Sequence, residues 1–411
     1  MVDVAALGAR ALRAIDARAE DLVALSRAIH ADPELAYQEH RAVARITDLL
    51  ERTGFVVTHG YAGVETAYRG DASGGKGAGP TVAILAEYDA LNEIGHACGH
   101  NLMALMGTAA AIGVKAVIAE LGGRLAAIGT PAEEGGGGKV ALLKRGGFGD
   151  VDAAMIVHPN ASRTLAGRHS LAANRVMVEY FGKAAHGASQ PDQGINALDG
   201  VLQLFNAINA MRQQLRPDAR VMGIITAGGS APNVIPDYAQ ARFSVRALDR
   251  RYEREVLERF VACAEGAAQA TGTTLKLTIP EESGYDNMVF STPLAERWAA
   301  HMTALGHPPY EVKDDERVGS TDMGNLMQVL PAIHPYVAIA NDNVPAHSIA
   351  FREAACTDLA HERALLAAKA MALTAIDLLA RPELLQRARA EFEERRAQGI
   401  VSGRASTAVT S

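Results

Sequence analysis

The chain has 411 residues, 48% of them hydrophobic and 21% charged, with a formal net charge of −7. That length exceeds one simple core and predicts two domains, and the composition is that of a soluble globular protein. The acidic balance argues against nucleic acid or an anionic membrane as the main partner, since both require a basic face.

Residues 5–30 and 38–53 repeat apolar side chains at helical spacing. The first of these carries acids and no continuous apolar stretch, so it reads as an amphipathic helix and not a signal peptide. No run of about 18 apolar residues predicts a membrane span. The three cysteines, Cys98, Cys263 and Cys356, lie far apart. They form no disulfide framework and fit a reducing cytosol, so a cytoplasmic location is expected. A Gly-rich turn from Asp71 to Pro80 leads into an apolar strand, Thr81 to Ala86, which ends at Glu87-Tyr88-Asp89. Asn101 to about Glu120 reads as a buried helix, Arg124 to Gly129 as a second strand and Ala153 to Val157 as a third. Strands alternating with helices predict an α/β layer architecture. Asp89, Glu133, Glu134 and His158 fall where these strands end, the place where open α/β sheets bind ligands.

The pattern changes near residue 169. Strands are predicted at Asn174–Phe181, Val221–Ala227, Ala239–Ala247 and Thr274–Ile279, and helices at Asn196–Leu215 and Arg250–Thr271. This βαββαβ order is the ferredoxin-like split unit. The first pattern then resumes, with helices at Pro293–Leu305 and Thr357–Leu379 and a strand at Ile333–Ala340. The simplest organisation is a domain of residues 1–168 and 288–411, interrupted by an inserted domain of 169–287. Ala166-Gly167 and Ser283-Gly284 are the expected hinges, and the tail beyond about Arg396 is expected to fray.

Cys98 and His100, two positions apart before a helix, would alone read as a buried thiol and a hydrogen-bonded imidazole. Glu133-Glu134, just past a strand, changes that reading. Adjacent buried carboxylates repel each other, and a cation between them relieves the cost. Zinc-like divalent ions accept sulfur, nitrogen and oxygen donors and in catalytic sites keep one position for water. Acids in the first turn of a helix are the ordinary alternative, but the glycines at 135–138 argue against an ordinary helix start. The run Glu133 to Lys139 is not a phosphate loop: that pattern requires Gly first and Ser or Thr after the Lys, where this chain has Glu133 and Val140. His158 and His347 are each more often structural when taken singly. His96, His169, His307 and His334 have weaker contexts, and His186 lies in the inserted domain. The arginines of that domain, such as Arg175, Arg212, Arg216, Arg220 and Arg242, read mostly as a solvated face.

Taken in order, Ala86-Glu87-Tyr88-Asp89-Ala90-Leu91, His96-Ala97-Cys98-Gly99-His100, Glu133-Glu134-Gly135, His158, Ala185-His186-Gly187-Ala188, Pro232-Asn233-Val234-Ile235-Pro236-Asp237, Gly319-Ser320-Thr321-Asp322 and His347 resemble the aminoacylase and carboxypeptidase family of two-metal amidohydrolases. The branch of p-aminobenzoyl-glutamate hydrolase and related dipeptidases is the most similar in these motifs. The resemblance implies a zinc-peptidase-like catalytic domain, with a mixed sheet flanked by helices and an inserted ferredoxin-like lid through which the chain forms a homodimer. It implies two divalent metal ions, zinc or manganese, on Cys98, His100, Glu134, His158 and His347, with the Cys98 thiolate in place of the bridging aspartate of many members. It further implies hydrolysis, by water activated at the metals, of the amide bond of an N-acyl or aryl-acyl amino acid or a dipeptide-like small molecule, with another aromatic C–N compound of catabolism as the alternative substrate. Glu133 would be general base and His186 an oxyanion donor, given in cis or from a partner subunit. Asp89 would orient a ligand, and Asn233 would bind substrate. In the indole-acetyl-amino-acid hydrolase branch an Asp usually follows the second His of the motif; this chain has Asn101. Two other classes remain to be distinguished: a thiol hydrolase using Cys98 and His100, which leaves Glu133, Glu134 and His347 unexplained, and a non-catalytic binding protein.

Overall fold

The computed structural model describes residues 3–280, 284–312 and 318–402. Ser283 of the second expected hinge and the tail beyond 402 lie outside the described residues. By compactness the chain forms two units. One comprises the described residues of 1–168, 288–318 and 322–406, and the other those of 169–287 and 319–321.

In the first unit, the helix α1 (Val4–Asp16) is started by Asp3, whose side chain accepts from the Ala5 and Ala6 N–H groups. The predicted 5–30 helix is in fact two: α2 (Ala19–Ala31) begins after a break at Ala17-Arg18. No Gly or Pro marks that break, so the periodicity reads through it. There follow α3 (His40–Arg52), β1 (Val56–His59), β2 (Tyr68–Ser73), β3 (Thr81–Ala86), α4 (His100–Lys115), β4 (Arg124–Gly129), α5 (Gly138–Lys144), β5 (Ala153–Met155) and β6 (His158–Asn160). Asp71 therefore lies in a strand and not in the Gly-rich turn that follows.

The second unit contains β7 (Ala172–Phe181), β8 (Ala185–His186), α6 (Ala197–Arg212), β9 (Arg220–Ala227), β10 (Val234–Ile235), β11 (Tyr238–Ala247), α7 (Arg250–Thr271) and β12 (Thr274–Thr278). Its antiparallel sheet has the order β12-β7-β11-β9. Alternate residues of β11 are buried, as a sheet with one covered face requires. Its core joins Val178, Leu204, Phe243 and Phe260. This is the ferredoxin-like arrangement.

The first unit resumes with α8 (Thr292–Ala304), α9 (Met323–Met327), β13 (Ala332–Ile333), β14 (Tyr336–Ala338), α10 (Ile349–Ala354), α11 (Asp358–Ala380) and α12 (Pro382–Ala397). Its mixed sheet runs β1-β2-β4-β3-β5-β13. The strand expected at 333–340 is divided at His334-Pro335. Pro335 has no N–H to continue a ladder and disfavours regular continuation at its predecessor. β13 stays in the main sheet, and β14 pairs with β6 instead. Among the described residues no helix is long and apolar enough to cross a membrane.

The element that sets the site is α4. Every residue from His100 to Val114 is buried, as for a helix that is apolar all round. It packs against β3 on one side and α1, α2 and α11 on others. The closest approach is at Gly107, where an added Cβ would lie 2.7 Å from the Leu85 carbonyl oxygen and 2.9 Å from the Ala86 Cβ. Gly in a helix interior costs roughly 1 kcal/mol relative to Ala, and overpacking a core costs about 1–3 kcal/mol. The second effect governs here because both opposing atoms belong to a strand that cannot move alone. Gly107→Ala is expected to lower unfolding free energy by about 1–2 kcal/mol in a denaturant titration, the reverse of its helix-propensity effect.

Candidate metal centre

β3 and β4 are parallel neighbours, with Ala86 opposite Gly129, so both strands deliver their following residues to one sheet edge. β3 supplies Glu87 and Asp89. β4 leads through Thr130, Pro131 and Ala132 to Glu133 and Glu134. Gly99 precedes α4 with φ +80°, and a Cβ there would meet Pro159 at 2.9 Å. That close approach sets Cys98 and His100 against His158, at the start of β6. His347 precedes α10 and also has positive φ, +59°; its N–H donates to the Ala97 carbonyl at 3.0 Å.

Two groups of potential ligands share the thiol. In one, donor atoms of Cys98, His100 and His158 lie within 4.8 Å of one another; in the other, those of Cys98, Glu134 and His347 do. The Cys98 Sγ is 3.4 Å from His158 Nε2, and His347 Nε2 is 3.5 Å from Glu134 Oε1. Neighbouring groups fix which imidazole nitrogen faces inward. His100 Nδ1 bonds Asp89 Oδ1 at 2.9 Å, and His158 Nδ1 bonds the Pro159 carbonyl at 2.6 Å. Each Nε2 is thereby left as the ligating atom. Asp89 also accepts from the Glu134 N–H at 2.9 Å through its other oxygen, so it orients two expected ligands at once.

The site fits divalent cations on its own chemistry. His100 Nε2 and Glu134 Oε1 are buried without a hydrogen-bond partner, an arrangement that a cation would satisfy. Burial, then Glu87, Glu134 and Asp322, push the Glu133 carboxyl well above its ordinary range. Burial and Glu134 push the Cys98 thiol up. Burial and the His100 charge push His158 well down. For Asp89, burial is outweighed by His100, which holds the carboxyl low. The site thus concentrates more acid than its own side chains neutralise.

Three residues that the sequence did not single out as site members stand behind it. Lys139 is fully buried; its ammonium bonds Glu87 and, at 2.7 Å, Asp322. Burial opposes its charge, but Asp322, Glu87 and Glu133 outweigh that and keep it protonated. Glu87 also approaches His100 Nε2 at 3.3 Å. The lysine that suggested a phosphate loop therefore faces carboxylates. Glu87 and Asp322 belong to the motifs Ala86–Leu91 and Gly319–Asp322, but nothing in one sequence says that a lysine after a glycine run is buried. His96 and His334 are buried outside both ligand groups, and His307 bonds Thr164 at 3.0 Å.

His186 and Asn233 belong to the second unit, where pairing of β8 with β10 places His186 opposite Val234. His186 Nδ1 accepts from the Ala188 and Ser189 N–H groups at 3.3 and 3.2 Å, so its exposed Nε2 carries the proton. Asn233 accepts from Gly187 N–H through its carbonyl at 2.9 Å.

Replacing Asp89 with Ala is expected to weaken metal binding about 10–100-fold, read by competition with a chromophoric chelator, with the fold retained.

Against known proteins, the peptidase dimerisation domain family matches residues 172–271. The chain is 38% identical to Xaa-Arg dipeptidase of Mus musculus over 93% of its length and 91% of that protein. It is 29% identical to a p-aminobenzoyl-glutamate hydrolase chain of Escherichia coli, over 93% of this chain and 94% of that one. A crystal structure of a dinuclear metal-binding M20 peptidase of Bacillus subtilis superposes with a TM-score of 0.68 and 21% identity, covering 89% of this chain and 99% of that one.

Proposed function

Since the chain belongs to the M20 peptidase family and is a metal-dependent hydrolase of amide bonds, we propose that it cleaves an N-acyl or aryl-acyl amino acid or a dipeptide, with Glu133 as general base. The observation that carries this reading is the Cys98 thiol shared between two ligand groups, His100 with His158 and Glu134 with His347, beside the Glu133 carboxyl. These residues would hold two divalent ions, and the thiolate favours zinc over manganese. When bound, such ions lower the pKa of water towards about 7 and polarise a carbonyl.

The chain's own side chains then divide the work. Glu133 takes the proton of the attacking water and returns it to the leaving amine. Asp89 keeps His100 and Glu134 in register. His186, with Nδ1 occupied by two backbone donors, offers Nε2–H to the developing oxyanion, a contact typically worth roughly 3–4 kcal/mol. Asn233 binds the substrate's polar end. A metal-free thiol mechanism is disfavoured by Cys98 itself: burial and Glu134 hold its proton on, the opposite of an activated nucleophile.

The chain forms a homodimer through its second unit in this reading. The edge strand β9 exposes Met222, Ile224 and Ile225 at 46%, 64% and 44%. An open apolar sheet edge is a liability unless covered.

Purified protein is expected to carry about two ions per chain and to lose turnover of p-aminobenzoyl-glutamate, N-acetyl amino acids and dipeptides on chelation. Glu133→Gln is expected to lower kcat about 10²–10⁴-fold with metal content retained; equal turnover by this variant would sink the assignment. In size-exclusion chromatography with light scattering, Ile224→Lys is expected to give a monomer. If His186 acts from the partner, that monomer loses activity as well.

A further inference from the structure

The loop carrying Glu133 is held in a strained form by a segment distant in sequence. Ala132, fully buried, has φ +59°, a left-handed conformation costing an L-residue roughly 1–2 kcal/mol. Its carbonyl accepts from Gly136 N–H at 2.9 Å, closing the turn on which Glu133 and Glu134 sit. Its own N–H donates to Glu39 Oε1 at 2.8 Å. Glu39 is fully buried just before α3. Two positions earlier, Tyr37, itself at φ +61°, donates its phenol to the Gly136 carbonyl at 2.7 Å. A Cβ at Gly136 would lie 2.6 Å from both the Tyr37 ring and the Ala132 Cβ, so ring, turn and glycine interlock.

Burying a carboxyl group is unfavourable as a stability device. It makes sense where a strained conformation must be held at a functional position. We infer that Glu39 is a positioning residue for the Glu133 base, holding Ala132 in its left-handed conformation so that the carboxyl is correctly aimed. Tyr37 supports the far side of the same turn. The inference rests on the assignment of Glu133 as base.

A four-cornered cycle tests it on the full-length, metal-loaded protein: wild type, Glu39→Ala, Ala132→Gly and the double variant, with Glu39→Gln and Glu133→Gln alongside. Metal content, kcat and KM are measured with one amide substrate. Glu39→Ala is expected to lower kcat about 10–100-fold, with KM within about threefold and metal content unchanged. Glu39→Gln keeps an acceptor oxygen and is expected to recover most of the loss. Glycine at 132 adopts positive φ without strain, so the Glu39→Ala penalty is expected to shrink at least about threefold in the Ala132→Gly background, reading the coupling of neighbouring residues. An equal penalty in both backgrounds overturns the inference, as does a kcat loss that merely follows metal loss. Should Glu39→Ala not fold, Glu39→Asp, too short to reach Ala132, replaces it in the cycle. If Glu133→Gln is inactive while Glu39→Ala turns over like wild type, the positioning role alone fails. If Glu133→Gln turns over normally, the base assignment itself fails.

Discussion

Mutual repulsion among buried acids is the constraint on which the rest of the first unit depends. Glu87, Asp89, Glu133, Glu134, Asp322 and the Cys98 thiol converge at the ends of β3 and β4. Against them the fold sets a permanent cation, Lys139, whose ammonium bonds Glu87 and Asp322. Removing one partner of such a buried pair typically costs about 3–5 kcal/mol, so the lysine is integral to the architecture. It neutralises the rear of the cluster only. Glu134 Oε1 and His100 Nε2 at the front are buried without a hydrogen-bond partner, and Cys98 and His158 lie beside them. The asymmetry separates a permanently neutralised rear from a front built for exchangeable ions.

Strain follows the same geography. Of the described non-glycine residues with positive φ, Tyr37 and Ala132 flank the base-bearing turn, and His347 is an expected ligand. Such conformations cost of order 1–3 kcal/mol each and persist only where the surroundings over-determine them. Here the surroundings are visible: Glu39 on the Ala132 N–H, Gly136 against the Tyr37 ring, the Ala97 carbonyl on the His347 N–H. The rigid frame of α4 on β3, drawn together at Gly107, gives these contacts something fixed to pull against.

Much of this was legible from the sequence, for definite reasons. β3, β4 and the βαββαβ unit announce themselves through apolar runs bounded by turn residues. Cys98, His100, Glu133, Glu134, His158 and His347 are ligand types near strand or helix ends, and the structure brings Cys98 together with His100 and His158, and with Glu134 and His347. What remained hidden depends on long-range packing. The Ala17-Arg18 break has no Gly or Pro. Lys139 resembles any surface lysine until its neighbours are known. Glu39 lies 93 positions from Ala132, and a positive φ at alanine leaves no mark in composition. His186 and Asn233 were found as a motif, and the β8–β10 pairing explains their association within the second unit.

Asn101 illustrates how one departure from a related motif follows from local chemistry. In the similar indole-acetyl-amino-acid hydrolase branch an aspartate usually follows the second histidine. Here the position is fully buried, one residue into α4, and the side chain donates through Nδ2 to Ser26 Oγ at 2.9 Å and to the Ala355 carbonyl at 3.0 Å. An aspartate has no donor for that carbonyl when ionised. It would add another buried negative charge beside a cluster already short of cations, and would lose the link from α4 to the turn between α10 and α11. The amide keeps that tie without charge. His347 lies just before α10, so the bond that fixes this turn also bears on where one expected ligand sits. The acidic balance of the site and the choice of a neutral side chain at residue 101 are therefore one electrostatic requirement, met at two positions.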